Sequence, residues 1–361
     1  MADRKAPHFA READEESPLL PSPEEQTANR SESCDVKKSH GKSTQLLALI
    51  SLMLGAGVAQ LGVSLVLTMH PTIASEFNCL SESDWLITTY ALAMAALQPL
   101  IGKLSDVFTR KSVLLCSYLF IALGCLQCAT ANTFSQVLIG RTISGMGGAG
   151  VSTLVAVITT DLVPIREVGP WRGYLNLVGT GSRSLGGPVG GYITDMVGWR
   201  WAFMAQVPIL IFASGTAVLY LPTTSRKPNT DKCDEASELT LGQRLQSIDF
   251  LGASLIMLAV IGLMLPLAAG SKLPGGLWVS CGVPSVSIIL LAVFVLVEHR
   301  YATDPIVHPT VMRNKDAMMS FGALAFQAAA HIGMMYSVPI HFQVTQGIVQ
   351  LLQVCNSFQL L

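Results

Sequence analysis

Apolar residues along this chain fall into blocks of about twenty, separated by short polar segments, and the interiors of the blocks carry almost no charge. A helix that crosses roughly 30 Å of bilayer hydrocarbon needs about 20 apolar residues. By that measure nine blocks qualify, at 44–68, 86–104, 112–131, 136–160, 173–196, 201–221, 250–270, 276–297 and 317–341. Lipid offers unpaired backbone groups no partner, so each block is predicted to be a helix. The chain reads as an all-α polytopic membrane protein.

Charge sharpens that picture. Only 13% of the residues are charged and half are hydrophobic, whereas a soluble domain carries about 25% charged residues. Lys and Arg alternate along the chain. Lys37, Lys38 and Lys42 precede the first block, Lys103, Arg110 and Lys111 follow the second, and Arg166 and Arg172 follow the fourth. Further clusters come at Arg226, Lys227, Lys232 and Arg244, then at Arg300, Arg313 and Lys315, while the intervening loops hold only Arg200 and Lys272. By the positive-inside rule the N-terminus is cytosolic, which removes Asn29-Arg30-Ser31 from the glycosylation machinery.

Residues 1–43 are rich in Glu, Ser, Pro and Lys and are predicted to be a disordered cytosolic tail. Within it, Glu15-Glu16-Ser17-Pro18-Leu19-Leu20 is either an acidic dileucine sorting signal read by an adaptor complex or a chance Leu-Leu. Of the eight cysteines, Cys116, Cys125, Cys128 and Cys281 lie in apolar stretches, where a thiol acts as a small hydrophobe. No metal spacing, phosphate loop or nucleophile-base cluster is present in the sequence, so neither an enzyme, a metal site, a cofactor nor a nucleic-acid partner is expected.

Three motifs carry the functional reading. The first is Gly102-x-Leu104-x-Asp106-x-x-x-Arg110-Lys111, read as opening a short cytosolic loop, with the glycine allowing close helix approach. In the second, Arg141 lies inside the fourth block with Gly145, Gly147 and Gly148 after it. An arginine at hydrocarbon depth normally faces a cavity or a partner, the alternative being a side chain that snorkels to the interface. The third, in the fifth block, combines Gly179, Gly181, Arg183, Gly186, Gly187, Pro188, Gly190 and Gly191. Arg183 points either to a cavity or to a packing role through backbone carbonyls.

Together these motifs resemble the major facilitator superfamily. The first is similar to its cytosolic signature GxLaDrxGrkxxl, with Val107 and Thr109 departing from it. That resemblance implies a conformational latch formed by Gly102, Asp106, Arg110 and Lys111. The second resembles RxxxGxgaa, whose arginine is implicated in proton transfer, which makes Arg141 a candidate for the proton pathway; Arg183, at about the depth of the Gly-Pro element, is the candidate beside it for the substrate pathway. The third resembles the antiporter motif of drug:proton exchangers, where Gly181, Gly186, Gly187, Pro188, Gly190 and Gly191 would form a pliable helix facing the central cavity. Gly198-Trp199-Arg200-Trp201-Ala202-Phe203, with Val207-Pro208, resembles the fourteen-helix branch, although Gln206 stands where that branch has Asn.

Ser64-Leu65-Val66 and Thr160-Asp161-Leu162-Val163-Pro164 resemble elements of fungal vacuolar basic amino-acid transporters and their relatives, a resemblance that covers about residues 44–347. Those proteins carry an acid just before the Ser-Leu-Val element, where this chain has Gly62, and no carboxylate falls at the centre of any block: Asp84, Asp161, Asp195 and Asp249 all lie near ends.

The resemblance implies a major facilitator layout: a six-helix bundle over 44–221, a cytosolic linker over 222–248, two linking helices over 249–297, a loop and ninth helix of the second bundle over 298–347, and an aberrant tail over 348–361. It implies a secondary transporter, proton-coupled, that moves basic amino acids or related small cations across the vacuolar membrane. A plasma-membrane multidrug exporter and a truncated remnant that inserts without transporting are the alternatives. If the tail signal operates, Leu19→Ala with Leu20→Ala shifts a fluorescently tagged protein from the vacuolar rim to the cell surface; an unchanged rim rules the signal out.

Overall fold

In a computed structural model, residues 42–222, 250–269, 276–301, 314–327, 329–330 and 333 are described. The tail bearing Glu15, Leu19 and Leu20, the linker and most of the ninth block lie outside them. Every regular element among the described residues is helical. The long helices are α1 (Lys42–Glu76), α2 (Trp85–Val107), α3 (Arg110–Ala129), α4 (Phe134–Leu162) and α5 (Val168–Met196). A short α6 (Trp199–Met204) runs into α7 (Gln206–Tyr220), and α8 (Phe250–Ala269) and α9 (Gly276–Tyr301) follow. A further helical stretch covers 315–327.

Local chemistry sets the ends. α1 runs about two turns beyond the expected 44–68 block, through Pro71, and stops where Asn78 takes a φ of 57°. At the start of α4, Thr133 Oγ1 accepts from the Gln136 amide at 3.4 Å while Gln136 Oε1 accepts from the Asn132 amide at 2.8 Å. This reciprocal cap satisfies two of the amides a helix start leaves over. α5 ends at Gly198, whose φ of 99° suits a residue without a Cβ. Pro208 sits in the first turn of α7, where a missing N–H breaks no helical bond.

Among the described residues, five helices are long and apolar enough to cross a membrane by length and composition: those over Thr44–Glu76, Leu80–Ser105, Arg110–Ala129, Phe134–Leu162 and Trp199–Tyr220. α5 matches them in length at 29 residues but is not among them, because its glycines and its polar residues Arg172, Asn176, Thr180 and Arg183 dilute its hydropathy. Among the described residues the criterion thus recovers five of the expected nine spans; α5 is long enough but too polar, and in α8 and α9 it finds only the shorter apolar stretches Ser254–Pro266 and Gly282–Phe294.

α1 lies against α5 and α7, α2 against α4, and α3 against α4 and α7, while α8 packs on α9 and α2. The core of the bundle is built from Leu52, Leu65, Val66, Met69 and Ile73 of α1 with Leu114 and Tyr118 of α3, Leu154 of α4, and Phe203 and Leu210. Outward-facing Leu119, Ile139 and Phe212 are exposed, as suits a lipid-facing surface.

The tightest packing involves glycines of α4. A Cβ on Gly145 would sit 2.6 Å from the Tyr90 carbonyl oxygen, and one on Gly140 would sit 3.0 Å from the Gly124 carbonyl oxygen. Backbone cannot yield as a side-chain tip can, so these contacts require glycine. Gly145→Val is expected to cost about 1–3 kcal/mol through overpacking and to lower the melting temperature of the detergent-purified protein. Gly215→Ala, where nothing lies within 4 Å, leaves it unchanged or raises it. Equal melting of both variants removes the close-packing argument.

Candidate functional site

A cavity of about 450 Å³ opens inside the bundle, walled by α1, α2, α4 and α5. Its polar lining is Gln60 from α1, Tyr90 from α2, Arg141 and Ser152 from α4, and Arg172, Asn176, Thr180 and Arg183 from α5; Val63, Met94, Val151 and Leu175 are among its apolar walls. Three guanidinium groups face this space, and no Asp or Glu is among its lining residues.

Arg141 is 3% exposed. Its Nε donates to the Leu86 carbonyl at 3.2 Å, and its guanidinium carbon stands 4.5 Å from the Tyr90 ring centroid. The cation is thus held by a backbone dipole and an aromatic face, and the snorkelling alternative does not apply. Arg183 is half-buried; its Nε donates to Gln60 Oε1 at 2.8 Å, while its own carbonyl accepts from Ser64 Oγ at 2.6 Å. It lines the cavity, and its partner is a side chain rather than the backbone carbonyls of the alternative reading. Gln60, Tyr90 and Asn176 were not singled out from sequence. Gln60 was the one most open to discovery, as an amide in the middle of the apolar α1.

The glycine-proline motif divides in two. Gly186 and Gly190 lie where α5 meets α1, a Cβ on Gly190 coming 2.8 Å from Thr68 Oγ1 and one on Gly186 2.6 Å from Ser64 Oγ. Gly187 has ordinary room, and Gly181 and Gly191 have nothing within 4 Å. α5 continues unbroken past Pro188. Through Gly186 and Gly190 the motif is a contact surface for α1.

The expected loop motif differs more. Gly102 and Asp106 belong to α2, and the turn is confined to Phe108 and Thr109. A Cβ on Gly102 would meet nothing within 4 Å, so close helix approach is not what this glycine serves here. The basic pair is engaged within the bundle: Arg110 forms an ion pair with Asp161 at the end of α4, and Lys111 Nζ donates to the Val218 and Leu221 carbonyls at 2.6 and 2.9 Å. A cation over the last carbonyls of α7 complements that helix's dipole.

At the opposite end, Glu76 accepts from Trp199 Nε1 at 2.5 Å and from Arg200 Nη1 at 2.7 Å, while Arg200 Nη2 reaches the Ala131 carbonyl at 3.2 Å. This ties α1, α6 and the end of α3 together and accounts for the Trp199-Arg200 pair. Two departures from the family pattern meet in space. A Cβ on Gly62 would come 2.6 Å from Gln206 Oε1, and buried Gln206 also donates to the Ala202 carbonyl at 3.0 Å and lies 3.8 Å from Cys125 Sγ. Among the described residues no cluster of His, Cys, Asp and Glu suits a metal.

The described residues thus form a bundle of membrane-length helices around a polar, charged cavity. Residues 52–357 match the Major Facilitator Superfamily, and the chain belongs to it; it is a multi-pass integral membrane protein and not an enzyme. It is 31% identical over 298 residues to the vacuolar membrane amino acid uptake transporter fnx2 of Schizosaccharomyces pombe, covering 82% of this chain and 50% of that protein. It is 32% identical over 348 residues to vacuolar basic amino acid transporter 1 of Saccharomyces cerevisiae, covering 93% and 57%. With the multidrug resistance protein fnx1 of Schizosaccharomyces pombe it shares 29% over 313 residues, covering 86% and 56%. The chain thus spans about half the length of these curated relatives.

Because Gly62 and Gln206 share one space, their substitutions should not be additive. Gly62→Ala alone displaces the amide and lowers thermal stability. Combined with Gln206→Asn it costs less than the two single changes summed, with a coupling of about 1 kcal/mol. Additive melting shifts dissolve the pairing.

Proposed function

We propose that the complete protein is a secondary active transporter that carries amino acids, basic ones foremost, across the vacuolar membrane in exchange for protons. One observation carries this reading: a mid-bundle cavity of amino-acid size whose polar wall is Gln60, Tyr90, Arg141, Asn176 and Arg183, in a chain whose relatives include a vacuolar amino acid uptake transporter and a vacuolar basic amino acid transporter. Alternating exposure of a midplane site is how carriers of this architecture work. The similarity to a multidrug resistance protein supports a second reading, export of cationic drugs.

In the first reading the residues divide the work by place. Gln60 and Arg183 face the solute. Arg141, buried over Tyr90, governs coupling to the proton, since a fixed cation beside the cavity repels a second positive charge and makes occupancy depend on protonation elsewhere on the path. The end carrying Gly102, Asp106, Arg110 and Lys111 acts as the latch, with Arg110 to Asp161 and Lys111 to α7 holding the helix ends in register. An adaptor complex reading Glu15, Leu19 and Leu20 delivers the protein to the vacuole.

Uptake of labelled lysine, arginine and a cationic drug into vacuolar vesicles, driven by an imposed proton gradient, decides between the two readings. The protein is expressed from its complete gene. Lysine and arginine are expected to accumulate and the drug is not. Arg141→Ala is expected to abolish gradient-driven accumulation while membrane insertion, read by protease protection, stays intact. Wild-type accumulation in that variant refutes the coupling role, and drug uptake without amino-acid uptake replaces the substrate reading.

A further inference from the structure

The cavity carries a charge pattern that singles out one end of its solute. Arg183 has five N–H donors, and Nε alone is taken, by Gln60 Oε1 at 2.8 Å. No described protein atom accepts from its terminal nitrogens. Gln60 fixes one edge of the guanidinium, and the terminal amino groups are left for something that enters the cavity. Arg141 and Arg172 line the same space, and no carboxylate among the lining residues balances them. An exposed face can leave cations to water, but a cleft among membrane helices focuses their field.

We propose that Arg183, presented by Gln60 and reinforced by Arg141, is a carboxylate subsite, so that this bundle recognises its solute by a carboxylate and not by its ammonium groups. The planar guanidinium fork accepts a carboxylate through paired hydrogen bonds, which a point charge such as lysine cannot match. The class of ligand is a small carboxylate-bearing solute, amino acids included. The inference rests on the transporter reading and narrows it, because it excludes from this wall the decarboxylated amines that share a basic amino acid's cationic end.

Three compounds separate these ends: lysine, 6-aminohexanoate, which keeps the carboxylate and the terminal ammonium, and cadaverine, which keeps the amines and lacks the carboxylate. In competition against labelled lysine uptake, 6-aminohexanoate is expected to inhibit at least tenfold more strongly than cadaverine. Arg183→Gln should collapse that ratio toward one, and Arg183→Lys, which keeps the charge without the fork, should give an intermediate ratio. The ratio is taken within one variant, so a loss of folded protein does not move it. If Arg183→Gln does not accumulate, Gln60→Ala is expected to lower the ratio in its place. Cadaverine competing as well as 6-aminohexanoate in the wild type, or an unchanged ratio in the variants, overturns the subsite. Absence of any lysine uptake removes the substrate reading instead, and the subsite is then decided on purified protein: thermal stabilisation by glutarate that is lost in Arg183→Gln upholds it, and no stabilisation by glutarate overturns it.

Discussion

A guanidinium placed among membrane helices finds no partner in lipid, so it turns to protein or to a polar cavity, and the way α4 meets α2 and α5 meets α1 reflects that requirement. An arginine at the centre of a span costs about 2.5–3.5 kcal/mol on insertion scales, and Arg141 and Arg183 both lie within helices of the bundle. Arg141 meets the cost through the Leu86 carbonyl and the Tyr90 ring. Both belong to α2, one turn apart. Gly145, one turn beyond Arg141, is the residue whose missing side chain lets the Tyr90 backbone come within 2.6 Å of where a Cβ would stand. The spacing Arg-x-x-x-Gly thus places a cation and a small residue on one helix face, and the close approach at Gly145 and the bond from Arg141 to Leu86 join the same two helices.

The two ends of the bundle are fastened by different chemistry. One end uses cations on helix C-termini, with Arg110 on Asp161 and Lys111 on the last carbonyls of α7. The other uses a carboxylate clasped by an indole and a guanidinium, Glu76 with Trp199 and Arg200, with Arg200 stacked 4.4 Å from the Trp199 ring. Exposed ion pairs contribute little singly. Their value here is geometric: each joins elements distant in sequence, and between them lies the cavity, with its own walls held by side-chain bonds such as Arg183 to Gln60.

Most of the architecture was legible in sequence because hydropathy sets it. Spans of about 20 residues and helical backbone are forced by the bilayer, and α1 to α4, α6 with α7, α8 and α9 fall on the expected blocks. Arg141 and Arg183 were legible for the complementary reason, a cation in apolar surroundings. What escaped depends on partners far along the chain. Gly102 reads as a packing glycine, yet it faces open space, because a motif names a residue type and not its neighbour. Gln60 escaped because an uncharged amide scarcely dents the hydropathy of α1, and its importance lies in Arg183, in another helix. Gly62 and Gln206 looked like two separate departures; only the fold shows the longer amide of one occupying the space that the other leaves.

A cationic cavity in a protein akin to basic amino-acid carriers looks contradictory until the order of encounter is considered. Two unit charges 4 Å apart interact by about 4 kcal/mol at an effective dielectric of 20, so an ammonium brought first to a wall bearing Arg141, Arg172 and Arg183 is repelled strongly enough to be excluded. A carboxylate brought first is attracted by the same amount and cancels one of the fixed charges, and the ammonium that follows meets a weaker field at a greater distance. Under the proposed function, a basic amino acid enters this wall carboxylate first. On that proposal the described lining, which holds no carboxylate, does not itself read the basic end. The proposal thus assigns to this bundle the part of the substrate that all amino acids share.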